Sequence, residues 1–377
     1  MLSKKRVIIL YKSASISKLK EHAKDLEAKF GAIHVKIHPI INGVSCFMPR
    51  EDSFKVLEVD PNIDKIENDI TISLPKPAEK SKTRQRSWWN PTQNWGYERQ
   101  VIPQGAQKIG ANTIWNISTG RFVKVAVLDT GIEIGHPDLR NNLKRGINII
   151  NPYVVPDDDN GHGTHVAGTI GAADNGYGVV GISPNVYLIP VKVLDSRGRG
   201  TLTDLIDGLH WCIENDMQVI NMSLGTSLYS EAFTRAVKKV YHAGIVMVAA
   251  VGNDGFDERI DFPAAYRETI AVGAITSTNT RAPYSNGGKE LNLMAPGSGI
   301  LSSTRGGTYG YMSGTSMATA HVSGVAALML QINSRLRPFQ TGNILASSVE
   351  KLRELTPNQQ GSGLVRANKA VERVKKV

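Results

Sequence analysis

Cysteine is scarce: Cys46 and Cys212 are the only two in 377 residues. So few thiols exclude a disulfide scaffold. GVSCFM reads as a strand and LHWCIEN as an amphipathic helix, so both are expected as buried free thiols, which leaves the redox compartment open. Long apolar runs are also missing, and nothing approaches the roughly 20 apolar residues of a membrane span. Near the N-terminus Lys4, Lys5 and Arg6 precede an apolar run over 7–11 that Lys12 breaks. That run falls short of the roughly 7–15 residues of a secretory core, and no small-residue cleavage site follows. Taken literally the sequence carries no export signal, although a leader removed ahead of it would leave the compartment unknown. Acidic residues are the minority, 34 against 44 Lys and Arg, for a net charge of +10. Much of that excess precedes residue 87, including KSKTRQR at 80–86. No aromatic-interleaved basic face continues from it, so a solvated linker is preferred to a nucleic-acid or membrane surface.

The length suits one large domain plus a small one. Residues 1–75 read as a small α+β unit. KRVIILYK is a strand, and SISKLKEHAKDLEAKF is a helix with Ser15 or Ser17 as cap. AIHVKIHPIING and VSCFMP are strands about a turn at Asn42-Gly43, a short helix follows around Ser53–Val59, and IDKIENDITISL closes as one strand. The order β-α-β-β-α-β is ferredoxin-like. Residues 76–99 read as a polar, basic linker. From residue 100 to 377 the near-continuous apolar runs KVAVL, VYLIPVKVL, VINMSL, GIVMVAAVG and TIAVGAI alternate with helical stretches. That pattern predicts a doubly wound α/β domain around a mostly parallel sheet. Sites in such sheets lie at the carboxyl ends of the strands.

Three segments carry chemistry. Asp129 ends the strand KVAVLD, where a carboxylate caps a turn or orients a base. His162 and His165 lie in NGHGTHVAGTIGA, at a helix entrance and one turn inside. Neither an HExxH pattern nor a cysteine cluster supports zinc. Ser316 opens the apolar helix of SGTSMATAHVSGVAALML, either as an N-cap or as a nucleophile placed where free N–H groups stabilise an oxyanion. Serine needs an imidazole to take its proton, and that imidazole needs a carboxylate to fix its tautomer. The serine context GTSMA is not the GxSxG of a lipase elbow, and the chain order Asp, His, Ser is that of subtilisin.

VAVLDTGI, NGHGTHVAGTI and SGTSMATAHVSG together resemble the three active-site motifs of the subtilisin family, over about residues 100–370. The resemblance implies a serine endopeptidase with Asp129, His162 and Ser316 as its triad. It implies Asn253, in VAAVGNDG, as oxyanion donor. Substrate is expected as an added strand between Gly198-Arg199-Gly200 and Ser223-Leu224-Gly225. Leu202, Leu205 and Leu224 would line an apolar pocket for the fourth residue on the acyl side, with core packing as the competing reading of Leu205. Gly225, Gly252, Asn253 and Asp254 resemble the rim of the primary pocket, and Asp261 falls at its base. The two acids either favour Lys or Arg on the acyl side or are solvated loop acids. Ala320 replaces a usual proline and Thr226 a common glycine, so fine specificity is left open.

AADNGYGVVGISP resembles the family's calcium loop. The resemblance implies Ca²⁺ held by side-chain oxygens of Gln100, Asp138 and Asn175 and by carbonyls of Ala173, Tyr177 and Val179, where Asp138 could otherwise cap a helix. Asp157–Asp159 either bind another ion or solvate their loop. The N-terminal unit resembles the family's inhibitory prodomain, which implies a zymogen cut between about residues 75 and 99, acting as a monomer on protein or peptide substrates.

Overall fold

The computed structural model describes residues 5–49, 52–78 and 100–376. The basic stretch at 80–86 lies outside the described residues. The N-terminal unit runs β1 (Lys5–Tyr11), α1 (Ile16–Phe30), β2 (Ile33–His38), β3 (Gly43–Met48), α2 (Asp52–Glu58) and β4 (Ile63–Asn68). Ser15 starts α1 by accepting the Lys18 N–H, and Gly31 ends it at φ 65°. The strands pair antiparallel in the order β2-β3-β1-β4. Alternation along β1 sorts its residues between two cores. Val7, Ile9 and Tyr11 pack with Leu19, Leu26 and Leu57 of the same unit. Ile8 and Leu10 point the other way and join the core of the large unit.

The large unit begins with α3 (Gln104–Lys108), β6 (Lys124–Asp129), β7 (Ile147–Asn148), α4 (His162–Gly171), β8 (Tyr187–Lys192), β9 (Arg199–Thr201) and α5 (Leu202–Glu214). It continues through β10 (Val219–Met222), α6 (Glu231–His242), β11 (Val246–Ala250), β12 (Ile270–Ile275), β13 (Leu293–Pro296), β14 (Ile300–Thr304), β15 (Thr308–Met312) and α7 (Thr315–Ile332). It closes with α8 (Pro338–Ser347), β16 (Val349–Glu350), α9 (Pro357–Gln360), β17 (Leu364–Val365) and α10 (Ala367–Val374). The central sheet has the order β16-β17-β13-β12-β11-β10-β6-β8-β7. All its pairs are parallel except β16 with β17. The five apolar runs of the sequence are β6, β8, β10, β11 and β12, buried on both faces as such strands must be. From β6 the chain builds outward to β8 and β7 on one side and to β10 through β13 on the other. The carboxyl end of β6 is therefore the crevice where the order reverses. Helix α7 is apolar all round and packs under β10, β11, β12 and β13 and against α4.

The closing strand of the N-terminal unit differs from expectation. IDKIENDITISL splits: β4 ends at Asn68, and β5 (Thr71–Ser73) leaves the sheet to pair with β9. Acidic side chains at the split are drawn to free N–H groups at helix starts. Asp69 accepts from the Thr203 N–H at 3.1 Å and its hydroxyl at 2.7 Å, at the start of α5. Glu67 accepts the N–H groups of Glu231 at 3.1 Å and Ala232 at 2.9 Å, at the start of α6. Arg235 of α6 returns the contact, donating to the Tyr11 carbonyl at 2.9 Å and pairing with Asp64. The small unit thus caps two helices of the large one. Cys46 and Cys212 are free and buried, in β3 and α5.

Candidate active site

Asp129, the last residue of β6, is fully buried. Its carboxylate accepts the Thr130 N–H at 2.8 Å and lies 2.9 and 3.0 Å from His162 Nδ1. His162 is the first residue of α4. Burial pushes its imidazole down, but the charge of Asp129, the hydrogen bond to it and the charge of Asp158 outweigh burial and hold the ring above the usual histidine range. His165, one turn further, is a different case. It is buried, its Nε2 faces the carbonyls of Ile300 at 3.0 Å and Gly310 at 3.2 Å, and burial drives its pKa to about 3. That ring stays neutral and braces α4 against β14.

Ser316 is the second residue of α7, buried, with its hydroxyl donating to the Ser223 carbonyl at 3.4 Å. Among the described residues its hydrogen bond is to Ser223, not to His162; such bonds are often loose before substrate docks. Asn253, just after β11, has its amide orientation fixed. Its Oδ1 accepts the Thr315 N–H at 3.0 Å and the Thr315 hydroxyl at 2.8 Å. Nδ2 therefore points into the cleft, where it donates to the Lys76 carbonyl at 2.9 Å. The four residues all lie at the carboxyl edge of the sheet or at the start of α4 and α7, which pack together.

The chain's own tail fills the cleft as an added strand. Ile72 sits opposite Gly200, and the Leu74 N–H donates to the Gly198 carbonyl at 3.0 Å. Ser73 exchanges both hydrogen bonds with Gly225, at 3.1 and 2.9 Å. Gly198 is at φ 70°, a conformation that favours glycine, and a Cβ there would press on the Leu74 side chain, 2.6 Å from Cδ1. Continuing the ladder by two residues sets Pro75 opposite Ser223. Proline has no N–H to donate, and the Ser223 carbonyl accepts from Ser316 instead. Residues 71–76 thus belong to the cleft of the large unit, a finer division than the expected boundary at 75. Leu202, Leu205 and Leu224 are fully buried in one apolar cluster with Ile72. Asp254 pairs with the Lys76 ammonium at the rim, and Asp261 lines the same cavity. Ala320 is buried within α7, and Thr226 is bridged to Phe262 beside the cavity.

Of the aspartates at 157–159, read as binding an ion or solvating their loop, Asp157 and Asp159 are exposed and Asp158 is the exception. Asp158 is buried and accepts from the Thr130 hydroxyl at 2.8 Å, the Gly161 N–H at 2.9 Å, and the Thr164 N–H and hydroxyl at 2.9 and 2.6 Å. It caps α4 and ties it to the residue after Asp129. Asp157 accepts the Ile134 N–H at 2.9 Å, and Asp159 pairs with Lys192 at 2.7 Å. The spacing of Asp158 three residues before Gly161, itself the N-cap, was the available signal.

Of the residues expected to hold calcium, Gln100, Asp138, Ala173, Asn175 and Val179 lie together, and Tyr177 touches them through its N–H. Gln100 Nε2 faces Ala173 O at 2.6 Å, Val179 O at 3.3 Å and Asn175 Oδ1 at 3.4 Å. Asp138, fully buried, accepts from Asn175 Nδ2 at 3.1 Å and the Val179 N–H at 2.9 Å. The Tyr177 N–H reaches Asn175 Oδ1 at 3.3 Å. Burial raises the Asp138 carboxyl, against the pull of those donors. Three oxygens converge on one amide nitrogen. Turning the Gln100 amide by half a rotation, with Asn175 left as it is, brings a fourth oxygen to the three and gives an all-oxygen set at that point, a fit to a hard cation. Among the described residues no three His, Cys, Asp or Glu side chains gather, because this set is built mainly from amide and carbonyl oxygens.

Residues 120–363 match the model of the Subtilase family. Subtilisin E of Bacillus subtilis strain 168 is 48% identical over 239 residues, covering 61% of this chain and 61% of that protein. Subtilisin of Bacillus pumilus is 44% identical over 281 residues, 72% of this chain and 100% of that protein. Alkaline protease of Alkalihalobacillus alcalophilus is 39% identical over 315 residues, 83% of this chain and 75% of that protein. The match to Subtilisin E and to Subtilisin J of Geobacillus stearothermophilus spans 61% of each of those proteins. With the parallel sheet, its crevice and more than half the chain matched, this protein belongs to the subtilase family.

Proposed function

We propose that the chain is a serine endopeptidase made as a self-processing zymogen. Ser316 attacks the acyl carbon, His162 takes and returns the proton, Asp129 holds the ring, and Asn253 donates to the oxyanion. The observation that carries this is the tail in the cleft: an extended segment bound by backbone on both sides, with one carbonyl on Asn253 Nδ2. A binding protein of the same fold would not need a buried carboxylate against His162. Matched peptide amides and a phosphonate label test the reading. Cleavage is expected faster after Arg or Lys than after Phe or Leu, because Asp254 and Asp261 face the cavity, with the label on Ser316. Faster cleavage after Phe or Leu removes the basic preference; no label and no cleavage removes the peptidase.

The N-terminal unit acts as the inhibitor in this reading. Pro75 and Pro77 flank Lys76, so both peptide bonds at the oxyanion donor involve proline. We place the maturation cut beyond them, within 79–99, where Lys80–Arg86 supplies basic residues.

Gln100, Asp138, Ala173, Asn175, Tyr177 and Val179 would hold Ca²⁺. When bound, the ion supplies positive charge beside buried Asp138 and ties the segment at residue 100 to the 173–179 loop. A ligand held by the folded state alone stabilises it by about 2.7 kcal/mol at 100 times its Kd, or roughly 5–10 °C in Tm for a domain of this size. Chelator is expected to lower Tm by that order, and an unchanged Tm counts against the site.

A further inference from the structure

The two acids of the primary pocket are not equivalent. Both line a cavity of about 230 Å³, with Gly225, Ala250 and Gly252 among its walls. Asp254 already has cations of this chain against it. Arg259 Nη2 stands 3.6 Å away, held over the Phe256 ring at 3.9 Å, and Lys76 pairs with it as well. The Lys76 side chain stays 78% exposed while making that contact. A lysine carried by the tail therefore stops at the rim.

Asp261 has no such balance. Its Oδ1 is buried and has no hydrogen-bond partner among the described residues. The backbone pins it between the two walls: its N–H donates to the Val251 carbonyl at 3.1 Å, and the next residue, Phe262, is paired on both sides with Thr226. The carboxylate lies where a Cβ on Gly252 would come within 2.4 Å of Oδ2, and one on Gly225 within 3.6 Å of the Asp261 Cβ. Glycine at 252 therefore gives Oδ2 its room, while Oδ1 stays buried without a partner among the described residues. Burial first, then the charge of Asp254, pushes the carboxyl up to about 6, against the pull of Arg259 and Lys76.

We propose that Asp261 is the specificity-determining carboxylate of this pocket, receiving the guanidinium of an arginine on the acyl side of the scissile bond. Asp254 keeps its charge but shares it with Arg259 at 3.6 Å, so its pull on an incoming side chain is divided. Arginine is favoured over lysine because its longer side chain carries several N–H donors past the rim to a carboxylate that lacks a partner among the described residues, whereas the single ammonium of Lys76 meets Asp254 at the rim. The inference rests on the peptidase reading and sharpens it.

The sign of the pH effect follows from the raised carboxyl. Below about pH 6 Asp261 is neutral and attracts no cation; above it the carboxylate is charged. The test compares kcat/KM for peptides differing only in Arg, Lys or Leu at the acyl residue, from pH 5 to 8. The Arg-to-Leu ratio cancels His162, which both substrates share. In the wild type that ratio is expected to rise about 10–100-fold through a midpoint near 6, the scale of one charged hydrogen bond. In Asp261→Asn the ratio is expected flat and low. In Asp254→Asn the rise persists with its midpoint at lower pH, since the Asp254 charge helps to raise Asp261. A wild-type ratio that does not change with pH, or one that survives Asp261→Asn, overturns the assignment. Leu cleaved faster than Arg and Lys at every pH would instead sink the basic preference as a whole. Every readout is a ratio on folded, active enzyme, so a loss of stability in one variant does not imitate the result.

Discussion

Ser316→Ala is expected to lower kcat on a peptide amide by about 10⁶, a magnitude carried over from subtilisin itself. The loss is chemical, because little structure depends on the hydroxyl. Among the described residues its one bond is the 3.4 Å contact to Ser223, and breaking so long a bond costs about 1 kcal/mol or less. The variant keeps Asn253 and the start of α7, so binding survives while nucleophilic attack does not. It should remain a full-length chain, whereas the wild type acquires a new N-terminus within 79–99. Mass spectrometry of both proteins, with peptide turnover, reads the two expectations together. Undiminished turnover in the alanine variant would dismiss Ser316 as nucleophile, and a wild-type N-terminus at 76 or 77 would show that the flanking prolines do not protect the tail.

Asp129→Asn is expected to cost about 10⁴ in kcat with the geometry kept. The carboxylate accepts from His162 Nδ1 at 2.9 and 3.0 Å, which leaves Nε2 free to take a proton. An amide in its place offers an N–H toward Nδ1 and favours the opposite tautomer. The pH profile should move too. Activity needs the neutral ring, so in the wild type kcat/KM rises with pH through a midpoint above the ordinary histidine value. Without the Asp129 charge, burial prevails and the midpoint falls. A profile from pH 4.5 to 9 that loses rate but keeps its acid limb in place would contradict the role given to Asp129.

Much of this site was legible because each part carried a local reason. The strand KVAVLD ended on an acid, and the helix with Ser316 was apolar on every side. The walls at 198–200 and 223–225 were picked out by family resemblance, with glycines at 198, 200 and 225 that admit a close backbone approach. His162 and His165 were separable only by family pattern, since their spacing offers no preference; in space, Asp129 contacts one and carbonyls bury the other. The pairing of β5 with β9 was hidden for a physical reason. IDKIENDITISL has strand character throughout, and the break at Asp69 depends on helix N-termini more than 130 residues away in sequence. Asp158 was hidden similarly, reading as one of three adjacent acids until burial singled it out. Short strands such as Val349–Glu350 and Leu364–Val365 have too few residues to show a period.

The tail between β9 and Gly225 also says something about the protease once that segment departs. The edge of β9 at 199–201 and the segment at 223–225 then face each other across a gap one chain wide. Exposed edges ordinarily invite another sheet to stack alongside, but here each edge shields the other. The gap is a missing rung, and an extended, unfolded polypeptide is the object slim enough to supply it. A folded neighbour, whose strands are already partnered, cannot enter, so under the proposed function the geometry that holds residues 71–76 would also limit an enzyme freed of them to extended chains.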